Sequence, residues 1–375
     1  MRVAIVVPWY TANGGAEKVD GVLGEIYPDA DFFALFFREK GIPPKLKGRH
    51  IEGSFLNKIP AIERVYRPLI SLFPYAVESF DLTGYDLVIT SDWACIKGVV
   101  TDPKTINVCY CHTPMRHIWD LYRNYLAGAA PWQRAAYAWS TKSLREWDYQ
   151  AAQRVTHFVA NSEYIQQRIE KYYGRDSAVI YPPVDTSKGY ISSSTGDYYL
   201  SVSRLNRTKR IDLLIQACNR LGRKLIVSGW GPEEKALKEI AGSTIEFVGR
   251  VPDNELGELY ANCRALLFAA DDDFGIVPVE AQSYGRPVIA LGRGGALETV
   301  RVSNPSRGPD TGVFFPDQSP ESVVDGILRF EAREGSFIPA AIQKHAHTFA
   351  PEEFASRFTG FVEAALGQER VPAWK

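Results

Sequence analysis

Two acidic residues on either side of a glycine turn form the pattern in this sequence with the clearest chemical meaning. Asp272 and Glu280 are separated by seven residues, which include a turn at residues 274–276 and a proline, Pro278. The apolar residues 265–269 predict a strand before them, and the proline suits the first turn of a helix after them. Such a strand-to-helix turn presents backbone N–H groups and a positive dipole end to a ligand above the sheet. A sugar nucleotide fits this site, and a solvated acidic turn is the alternative.

The overall composition narrows the class of protein. The chain has 375 residues, of which 45% are hydrophobic and 23% are charged, and this predicts a globular protein of about two domains. A net charge of −1 gives no reason to expect nucleic acid as a partner. No run approaches the roughly 18 apolar residues of a membrane-spanning helix, and Pro8 interrupts the N-terminal apolar run too early for a signal peptide. We therefore expect a cytoplasmic protein.

The cysteines and acidic residues give no sign of a metal centre. The five cysteines are an odd number without paired metal-ligand spacing, so we interpret them as reduced packing residues. Within the predicted strand at residues 106–111, we expect Cys109 and Cys111 to point to opposite faces. No cluster of acids or histidines has convincing ligand spacing, so we expect no metal and no other cofactor.

The hydrophobic pattern divides the chain into two α/β units. In the first, an apolar strand at residues 3–7 precedes a loop with two glycines and a helical stretch, and later strands are predicted at residues 87–90, 106–111 and 156–160. From Tyr198 onwards, strands and helices alternate strictly to residue 315, beginning with a strand at residues 198–202 and a helix at residues 211–221, and this alternation is typical of a doubly wound parallel sheet.

The segment between these units is rich in proline, serine and glycine, as linkers are, and the domain boundary is predicted there. We predict an N-terminal acceptor-binding domain at residues 1–182 and a C-terminal nucleotide-sugar domain at residues 183–350. Residues 351–375 are expected to form a C-terminal helix that returns to the first domain.

Several loops of the second unit carry groups that suit a phosphate-containing ligand. Ligands of open parallel sheets bind beyond the carboxyl ends of the strands. Arg204 and Lys209 flank the turn after the strand at residues 198–202, and glycine turns follow the next strands. Each loop alone is typical of an ordinary surface turn. Their shared edge of the sheet, together with Glu280, favours a functional site.

Several motifs resemble those of the retaining glycosyltransferases of family 4. The loop GGAE at residues 14–17 is similar to the family's glycine-rich loop, and CHTPMRHIWDLY at residues 111–122 resembles a block found in bacterial polysaccharide and O-antigen sugar transferases. The stretches ANSEYIQQRIEKYYG, SRLNRTKRIDLLI and DDFGIVPVEAQSYGRPVIA extend the resemblance over nearly the whole chain. One position departs from the family pattern, since Asp272 stands where the family usually has a glutamate.

The resemblance implies the GT-B architecture, in which two facing Rossmann-like domains with parallel sheets bind the donor in an interdomain cleft. It assigns residues to the donor as follows: for the diphosphate Gly14, Gly15, Arg204 and Lys209; for the sugar Asp272, Phe274, Gly275 and Ile276; for the ribose and base Glu280, Gly249, Arg250 and Val251. The catalytic residues that it implies are His112, Asp272 and Glu280.

The expected chemistry is transfer of a hexose from a nucleoside diphosphate sugar. Departure of the diphosphate places negative charge on the β-phosphate, which Arg204 and Lys209 would stabilise without a metal. Because no residue in this family is convincingly placed as a covalent nucleophile, we expect front-face transfer with retention and an α-linked product. The first expectation for the donor is GDP-mannose, with UDP-glucose close behind.

The chemical kind of the acceptor can be predicted only from residue types. Aromatic and basic side chains are interleaved between Met115 and Trp147, which suits glycan stacking or a membrane headgroup layer, although an aromatic helical hairpin packed in its own domain is the alternative. A second basic stretch runs from Lys45 to Arg67. We expect a glycan or polyprenyl-diphosphate-linked acceptor and peripheral contact with the inner face of the plasma membrane.

Two other functions stay open from the sequence. A sugar-nucleotide epimerase of the same architecture would convert its nucleotide sugar without an acceptor. A non-catalytic nucleotide-sugar-binding subunit would explain Asp272 as a sign of lost catalysis. A dehydrogenase is disfavoured because no GxGxxG motif follows the first strand of either unit.

Overall fold

The structure is a computed structural model that describes residues 1–11, 14–120, 131–302 and 308–369, without the side chains of residues 67, 131–140, 368 and 369. The chain divides into two compact units. One is built from Met1–Pro183 and Phe354–Lys375, and the other from Val184–Glu353. The second unit therefore begins within the segment predicted as a linker.

The first unit contains a parallel sheet with the order β3-β2-β1-β4-β5-β6-β7. Its strands are β1 (Val3–Tyr10), β2 (Asp31–Phe37), β3 (Ile51–Gly53), β4 (Leu87–Asp92), β5 (Ile106–Cys111), β6 (His157–Ala160) and β7 (Ser177–Val179). Its helices are α1 (Gly15–Ile26), α2 (Ile62–Val65), α3 (Phe73–Glu78), α4 (Pro131–Arg154) and α5 (Glu163–Tyr173), with 3-10 turns at Glu39–Gly41, Pro44–Leu46, Phe55–Lys58, Arg67–Leu72 and Ile96–Gly98. The sheet grows from β1 in one direction to β3 and then in the other direction from β4.

The second unit repeats this plan with the order β10-β9-β8-β11-β12-β13, again with parallel pairing. Its strands are β8 (Tyr198–Val202), β9 (Lys224–Ser228), β10 (Ile245–Gly249), β11 (Leu266–Phe268), β12 (Val288–Leu291) and β13 (Gly312–Phe315). Its helices are α6 (Ile211–Leu221), α7 (Glu234–Glu239), α8 (Asp253–Asn262), α9 (Ile276–Ser283), α10 (Ala296–Thr299), α11 (Pro320–Glu331) and α12 (Pro339–Ala346), with 3-10 turns at Arg207–Lys209, Glu334–Ser336 and His347–Phe349.

The central strands of each sheet are buried on both faces, which explains why they are continuous apolar runs instead of alternating ones. The last helix, α13 (Pro351–Glu369), supplies Phe354 and Phe358 to the core of the first unit. The ring of Phe354 packs edge-on against Tyr110 of β5, with the ring centroids 5.5 Å apart. The chain therefore returns to the first unit after completing the second.

The predicted elements of the second unit agree with the structure more closely than those of the first. Strand β8 and helix α6 have the predicted bounds, whereas β2, with the sequence DFFALFF, was not predicted at all. The expectation that Cys109 and Cys111 face opposite ways is wrong, because both belong to one buried cluster. Residues two apart in a strand lie on the same face. All five cysteines are free and buried.

A buried ion cluster connects β4 to helix α4. The ammonium group of Lys97 is fully buried and lies 3.1 Å from Asp92 Oδ2 and 2.5 Å from Asp148 Oδ1. Burial alone would lower the pKa of Lys97, but Asp148 and Asp92 outweigh it and raise the pKa well above its usual value. Asp148 also accepts hydrogen bonds from the indole of Trp119 and the hydroxyl of Tyr173, both at 2.8 Å.

Replacement of Lys97 by Met should destabilise the first unit strongly. The substitution leaves two carboxylates buried without their shared cation, and breaking a buried pair in this way costs about 3–5 kcal/mol. Urea unfolding should show this loss, whereas Lys104→Met, at an exposed lysine, should change the free energy of unfolding very little. A loss below about 1 kcal/mol at Lys97 would contradict the account of this cluster.

Candidate functional site

The candidate donor site lies where the strand order of the second sheet reverses. Strand β8 has β9 on one side and β11 on the other, so the loops after β8 and β11 leave the sheet in opposite directions. A crevice opens at such a point, and it is the general ligand site of open α/β sheets. The structure brings Lys209, from the loop after β8, against Asp272, from the loop after β11: Lys209 Nζ lies 2.7 Å from Oδ1 and 2.5 Å from Oδ2.

This ion pair is only partly exposed, at 23% for Lys209 and 22% for Asp272. The sequence assigned the two residues separately, to diphosphate and sugar, and gave no reason to expect their contact. The aspartate reaches the ammonium group with both oxygens although it is one methylene shorter than the family's usual glutamate. In the free protein, therefore, the cation expected to bind phosphate is already neutralised by the acid expected to bind sugar.

Glycines allow the surrounding loops to pack closely enough to fix this pair. Gly229 has a φ of +141°, and a Cβ atom there would lie 1.8 Å from the carbonyl oxygen of Ser203. A Cβ on Gly295 would lie 2.2 Å from Phe274 Cα, and the Gly295 N–H donates to the Asp272 carbonyl at 2.9 Å. The loop after β12 thus supports the backbone that carries Asp272.

Glu280 is positioned by a neighbouring tyrosine that sequence reasoning missed. Helix α9 starts after Gly275, whose φ is +88°, and carries Glu280 in its second turn. The buried hydroxyl of Tyr260, on α8, donates to Glu280 Oε2 at 3.0 Å. Burial, followed by the charge of Glu280, raises the pKa of Tyr260 well above its usual value, so the phenol stays a donor. Nothing in the spacing of Tyr260 and Glu280 in sequence indicates this pairing.

The other predicted donor residues of the second unit lie on loops along the same edge. Arg204 is exposed, and its guanidinium carbon lies 5.0 Å from the ring centroid of Trp230. The carbonyl of Gly249 accepts from the Gly229 N–H at 2.8 Å, which joins the loops after β9 and β10. Arg250 is exposed and Val251 is partly buried beside it.

In the first unit, the glycine-rich loop already has an internal acceptor. The Gly14 N–H, expected at the diphosphate, donates to Glu17 Oε2 at 2.9 Å, and Gly15 begins helix α1. Burial raises the pKa of Glu17 above its ordinary value. A phosphate could therefore use the Gly14 N–H only by displacing the Glu17 side chain.

His112 follows β5 directly and is held on three sides. Its ring Nε2 lies 2.9 Å from the Ser91 hydroxyl. Its backbone N–H donates to the Asp92 backbone carbonyl at 2.8 Å, and its backbone carbonyl accepts from the side-chain amide of Asn161 at 3.0 Å. Burial lowers the pKa of His112 to about 4, so the imidazole is neutral at physiological pH. Asp20 of α1 is buried, and burial is the main cause that raises the pKa of its carboxyl group to about 8, with Ser91 acting in the opposite direction. The sequence predicted His112 but neither Ser91 nor Asp20.

The aromatic and basic stretch after His112 is used partly for internal packing. Trp119 stacks on Tyr172 with centroids 4.9 Å apart, and Trp147 donates to Glu78 at 3.0 Å. These contacts favour the packed alternative for those two residues. Other members of the stretch lie outside the described residues, namely Tyr122, Arg123 and Tyr125, and the side chains of Trp132, Arg134, Tyr137 and Trp139 are likewise not described.

In the second basic stretch, two cations have structural partners. Lys45 pairs with Glu25 at 2.7 Å, and Arg49 donates to the Gly24 carbonyl at 2.7 Å.

The described part of the chain contains no helix with the length and apolar character needed to cross a membrane.

Comparison with known families decides the class of this site. The family model described as Glycosyltransferase Family 4 matches residues 34–188, and that described as Glycosyl transferases group 1 matches residues 186–347. The chain thus carries two glycosyltransferase family models in succession. The two matches meet where the second compact unit begins, so each unit corresponds to one family model.

Curated relatives within this class include mannosyltransferases. The chain is 25% identical to the alpha-1,3/1,6-mannosyltransferase ALG2 of Saccharomyces cerevisiae, over 85% of this chain and 72% of the yeast protein. The ALG2 protein of Kluyveromyces lactis is also 25% identical, over 56% of this chain and 54% of the relative. The D-inositol 3-phosphate glycosyltransferase of Mycobacteroides abscessus is 28% identical over 46% of this chain and 40% of its own length.

Solved structures confirm the GT-B fold. Anabaena HepE in complex with UDP superposes with a TM-score of 0.70 at 17% identity, covering 97% of this chain and all of that chain. Sucrose-phosphate synthase from Thermosynechococcus elongatus gives a TM-score of 0.69 at 15% identity, covering 98% of this chain and 100% of that chain. The predicted α/β class with two Rossmann-like sheets is therefore confirmed.

Replacement of Tyr260 by Phe should weaken nucleoside diphosphate binding, because it removes the hydrogen bond that orients the carboxyl expected at the ribose. A loss of about 1 kcal/mol, or about fivefold in affinity, is expected by calorimetry with GDP and UDP. Tyr198→Phe is the matched control, since the Tyr198 hydroxyl donates at 3.0 Å to a backbone carbonyl, that of Leu259. Equal losses in both variants would show that Tyr260 acts only through stability.

Proposed function

We propose that this protein is a retaining mannosyltransferase that uses GDP-mannose as donor and a glycan or polyprenyl-diphosphate-linked sugar as acceptor. The observation that carries the proposal is the ion pair between Lys209 and Asp272 at the strand-order reversal of the second sheet. Asp272 lies eight residues before Glu280 in the sequence. The mannosyltransferase names of several relatives support mannose as the transferred sugar.

Donor binding is proposed to exchange the partner of Lys209. The diphosphate carries more negative charge than one carboxylate, so it competes with Asp272 for the ammonium group, and Arg204 adds a second, bidentate contact. Once Lys209 turns to the phosphate, both oxygens of Asp272 become acceptors for sugar hydroxyls. Diphosphate binding thereby prepares the sugar-binding residue.

Glu280 is proposed to accept hydrogen bonds from the ribose hydroxyls. Tyr260 fixes the orientation of its carboxyl group, and the N-terminal turn of α9 with residues 274–276 presents N–H groups toward the same edge. The loop at Gly249, Arg250 and Val251 would complete the base pocket. In this arrangement, backbone N–H groups and carboxylates hold the donor.

Transfer with retention is proposed to proceed on one face of the sugar. The acceptor hydroxyl attacks the anomeric carbon on the side from which the diphosphate departs, and a phosphate oxygen takes the hydroxyl proton. The bond from the anomeric carbon to the phosphate oxygen breaks as the new glycosidic bond forms. Arg204 and Lys209 stabilise the charge on the departing diphosphate, so we expect no requirement for a divalent metal.

An acceptor assay in excess chelator tests the proposed function. GDP-mannose and UDP-glucose are each incubated with a polyprenyl-diphosphate-linked saccharide, and the product is examined by mass spectrometry and by NMR of the anomeric proton. We expect an α-mannosyl product from GDP-mannose. The variant Lys209→Met should reduce the rate of transfer about 10- to 100-fold. This factor corresponds to the roughly 1.5–3 kcal/mol that a charge-assisted hydrogen bond contributes.

The matched control is Arg207→Met, two residues away, because Arg207 is 89% exposed and pairs with Glu233. It should transfer at nearly the wild-type rate. Conversion of the nucleotide sugar without acceptor would identify an epimerase, and binding without any conversion would favour the non-catalytic subunit. A β-linked product or a strict need for magnesium or manganese would contradict the proposed mechanism.

A further inference from the structure

The helical segment from Ile62 to Glu78 of the first unit exposes apolar side chains on its outer face. It consists of α2, a 3-10 turn and α3 in succession, and Tyr66 between the first two also has helical dihedral angles. Five exposed residues recur along it at alternating intervals of four and three residues, which places them along one side of a helical segment. We call them the outer stripe: Ala61, Val65, Pro68, Leu72 and Tyr75. The exposed fractions of Val65, Leu72 and Tyr75 are 42%, 39% and 70%.

The opposite side of this segment packs against the first sheet. Ile62 and Phe73 are buried in the same cluster as side chains of β1, β2 and β4. The ring of Tyr66 packs against Trp9, with the ring centroids 5.1 Å apart, and against Phe36 at 5.8 Å. A helix on the surface of a globular protein is normally polar on its outer side. Core packing therefore accounts for the inner side alone, and a contiguous apolar stripe on the outer side indicates contact with a further molecule.

Two exposed cations lie beside the outer stripe. Arg38 connects the 3-10 turn before α2 to α2 itself, because its Nη1 donates to Asn57 Oδ1 at 3.3 Å and its Nη2 lies 3.0 Å from Glu63 Oε2. Lys58 and Arg64, of the second basic stretch, directly follow these two partners in the sequence, and both are exposed. Arg38 thereby holds two cationic positions together near the start of the outer stripe.

The acids of this region are paired with arginines. Between residues 54 and 79 the sequence has two acids, Glu63 and Glu78. Glu63 pairs with Arg38, and Glu78 Oε1 lies 2.7 Å from Arg154 Nη2. The exposed charge beside the outer stripe is therefore positive, although the whole chain has a net charge of −1.

We propose that the outer stripe, together with Lys58 and Arg64, is the surface by which the protein docks on an anionic lipid bilayer. The aliphatic and tyrosine side chains enter the boundary between headgroups and acyl chains, and the two cations bind lipid phosphates. Contact of this kind needs no helix that crosses the bilayer. The attraction is local, since a chain with nearly balanced charge has no general affinity for an anionic surface.

A second copy of the chain fits this surface less well. In a two-fold dimer the same patch meets itself, so Lys58 and Arg64 would face their own counterparts. Like charges in such a contact are unfavourable, and the acids nearby are already paired with arginines. A lipid bilayer supplies both the anions and the apolar layer that this surface lacks.

Sedimentation with vesicles tests the proposal on the full-length protein. It uses neither nucleotide nor acceptor, so its result is independent of the proposed transfer reaction. Vesicles of phosphatidylcholine alone are compared with vesicles that also contain phosphatidylglycerol. The wild type should bind the anionic vesicles at low salt and bind them much more weakly at high salt, because salt screens charges in solvent.

A first double variant tests the cations. Lys58→Gln combined with Arg64→Gln should weaken binding to the anionic vesicles about 25-fold, since each cation near such a surface contributes about fivefold. The matched control combines Lys104→Gln with Lys344→Gln, two exposed lysines outside this surface, and makes the same change in net charge. It should bind like the wild type.

A second double variant tests the apolar side chains. Leu72→Ser combined with Tyr75→Ser should weaken binding to the anionic vesicles by about tenfold or more, because both side chains leave water on docking. Its control combines Leu328→Ser with Ile338→Ser, which are 46% and 55% exposed on the second unit. All these side chains are exposed, so thermal unfolding should show that the variants remain folded.

A polarity-sensitive fluorophore tests where the contact lies. Attached through Tyr75→Cys, its emission should shift to shorter wavelength on anionic vesicles, whereas the same label attached through Lys104→Cys should show no shift. The five native cysteines are buried, which directs the label to the introduced thiol.

Failure of the wild type to bind anionic vesicles, or equal binding to neutral ones, would overturn the proposal. Unchanged binding in both double variants would do the same. If the protein instead self-associates without lipid, and Leu72→Ser with Tyr75→Ser abolishes that association, the occupant of this surface is a second copy of the chain and the proposal is wrong.

Discussion

The ion pair between Lys209 and Asp272 is the interaction on which the account of donor binding depends. It joins the loops after β8 and β11, at the position where the strand order of the second sheet reverses. Because the pair is only about one-fifth exposed, solvent screens it less than a surface ion pair. A ligand that separates it must supply a stronger anion for Lys209 and hydroxyl donors for Asp272. A nucleoside diphosphate sugar has both.

The first sheet has the same reversal of strand order, but different residues lie at it. Both sheets begin in the middle, add two strands on one side and then cross to the other, so each has a reversal next to its first strand. In the second unit that position holds a salt bridge, whereas in the first it holds Asp20, Ser91 and a neutral His112. The ion pair of the second unit is partly exposed, whereas Asp20 and Ser91 of the first unit are buried.

Much of the fold could be predicted because strands of parallel sheets are continuous apolar runs and because helices such as α6 and α11 of the second unit are strongly amphipathic. Strand β8 and helix α6 were predicted with their observed bounds. Glu280 and His112 could be singled out because each lies in a recognisable motif, and their roles stay predictions. Tyr260, Asp20 and the Lys209–Asp272 contact were not predictable, since each depends on tertiary packing between elements far apart in sequence. Asp20 in particular has no local signal, because a single acid on a helix is usually solvated.

Calorimetric titration with GDP tests the central claim most directly, because GDP has the diphosphate but no sugar to contact Asp272. The account predicts opposite effects of the two partners: Lys209→Met should weaken GDP binding, and Asp272→Asn should strengthen it by removing a competing carboxylate from Lys209. Far-ultraviolet circular dichroism should show that both variants remain folded. If Asp272→Asn binds GDP more weakly than the wild type, to the same degree as Lys209→Met, the pair is a structural salt bridge and does not open for the donor.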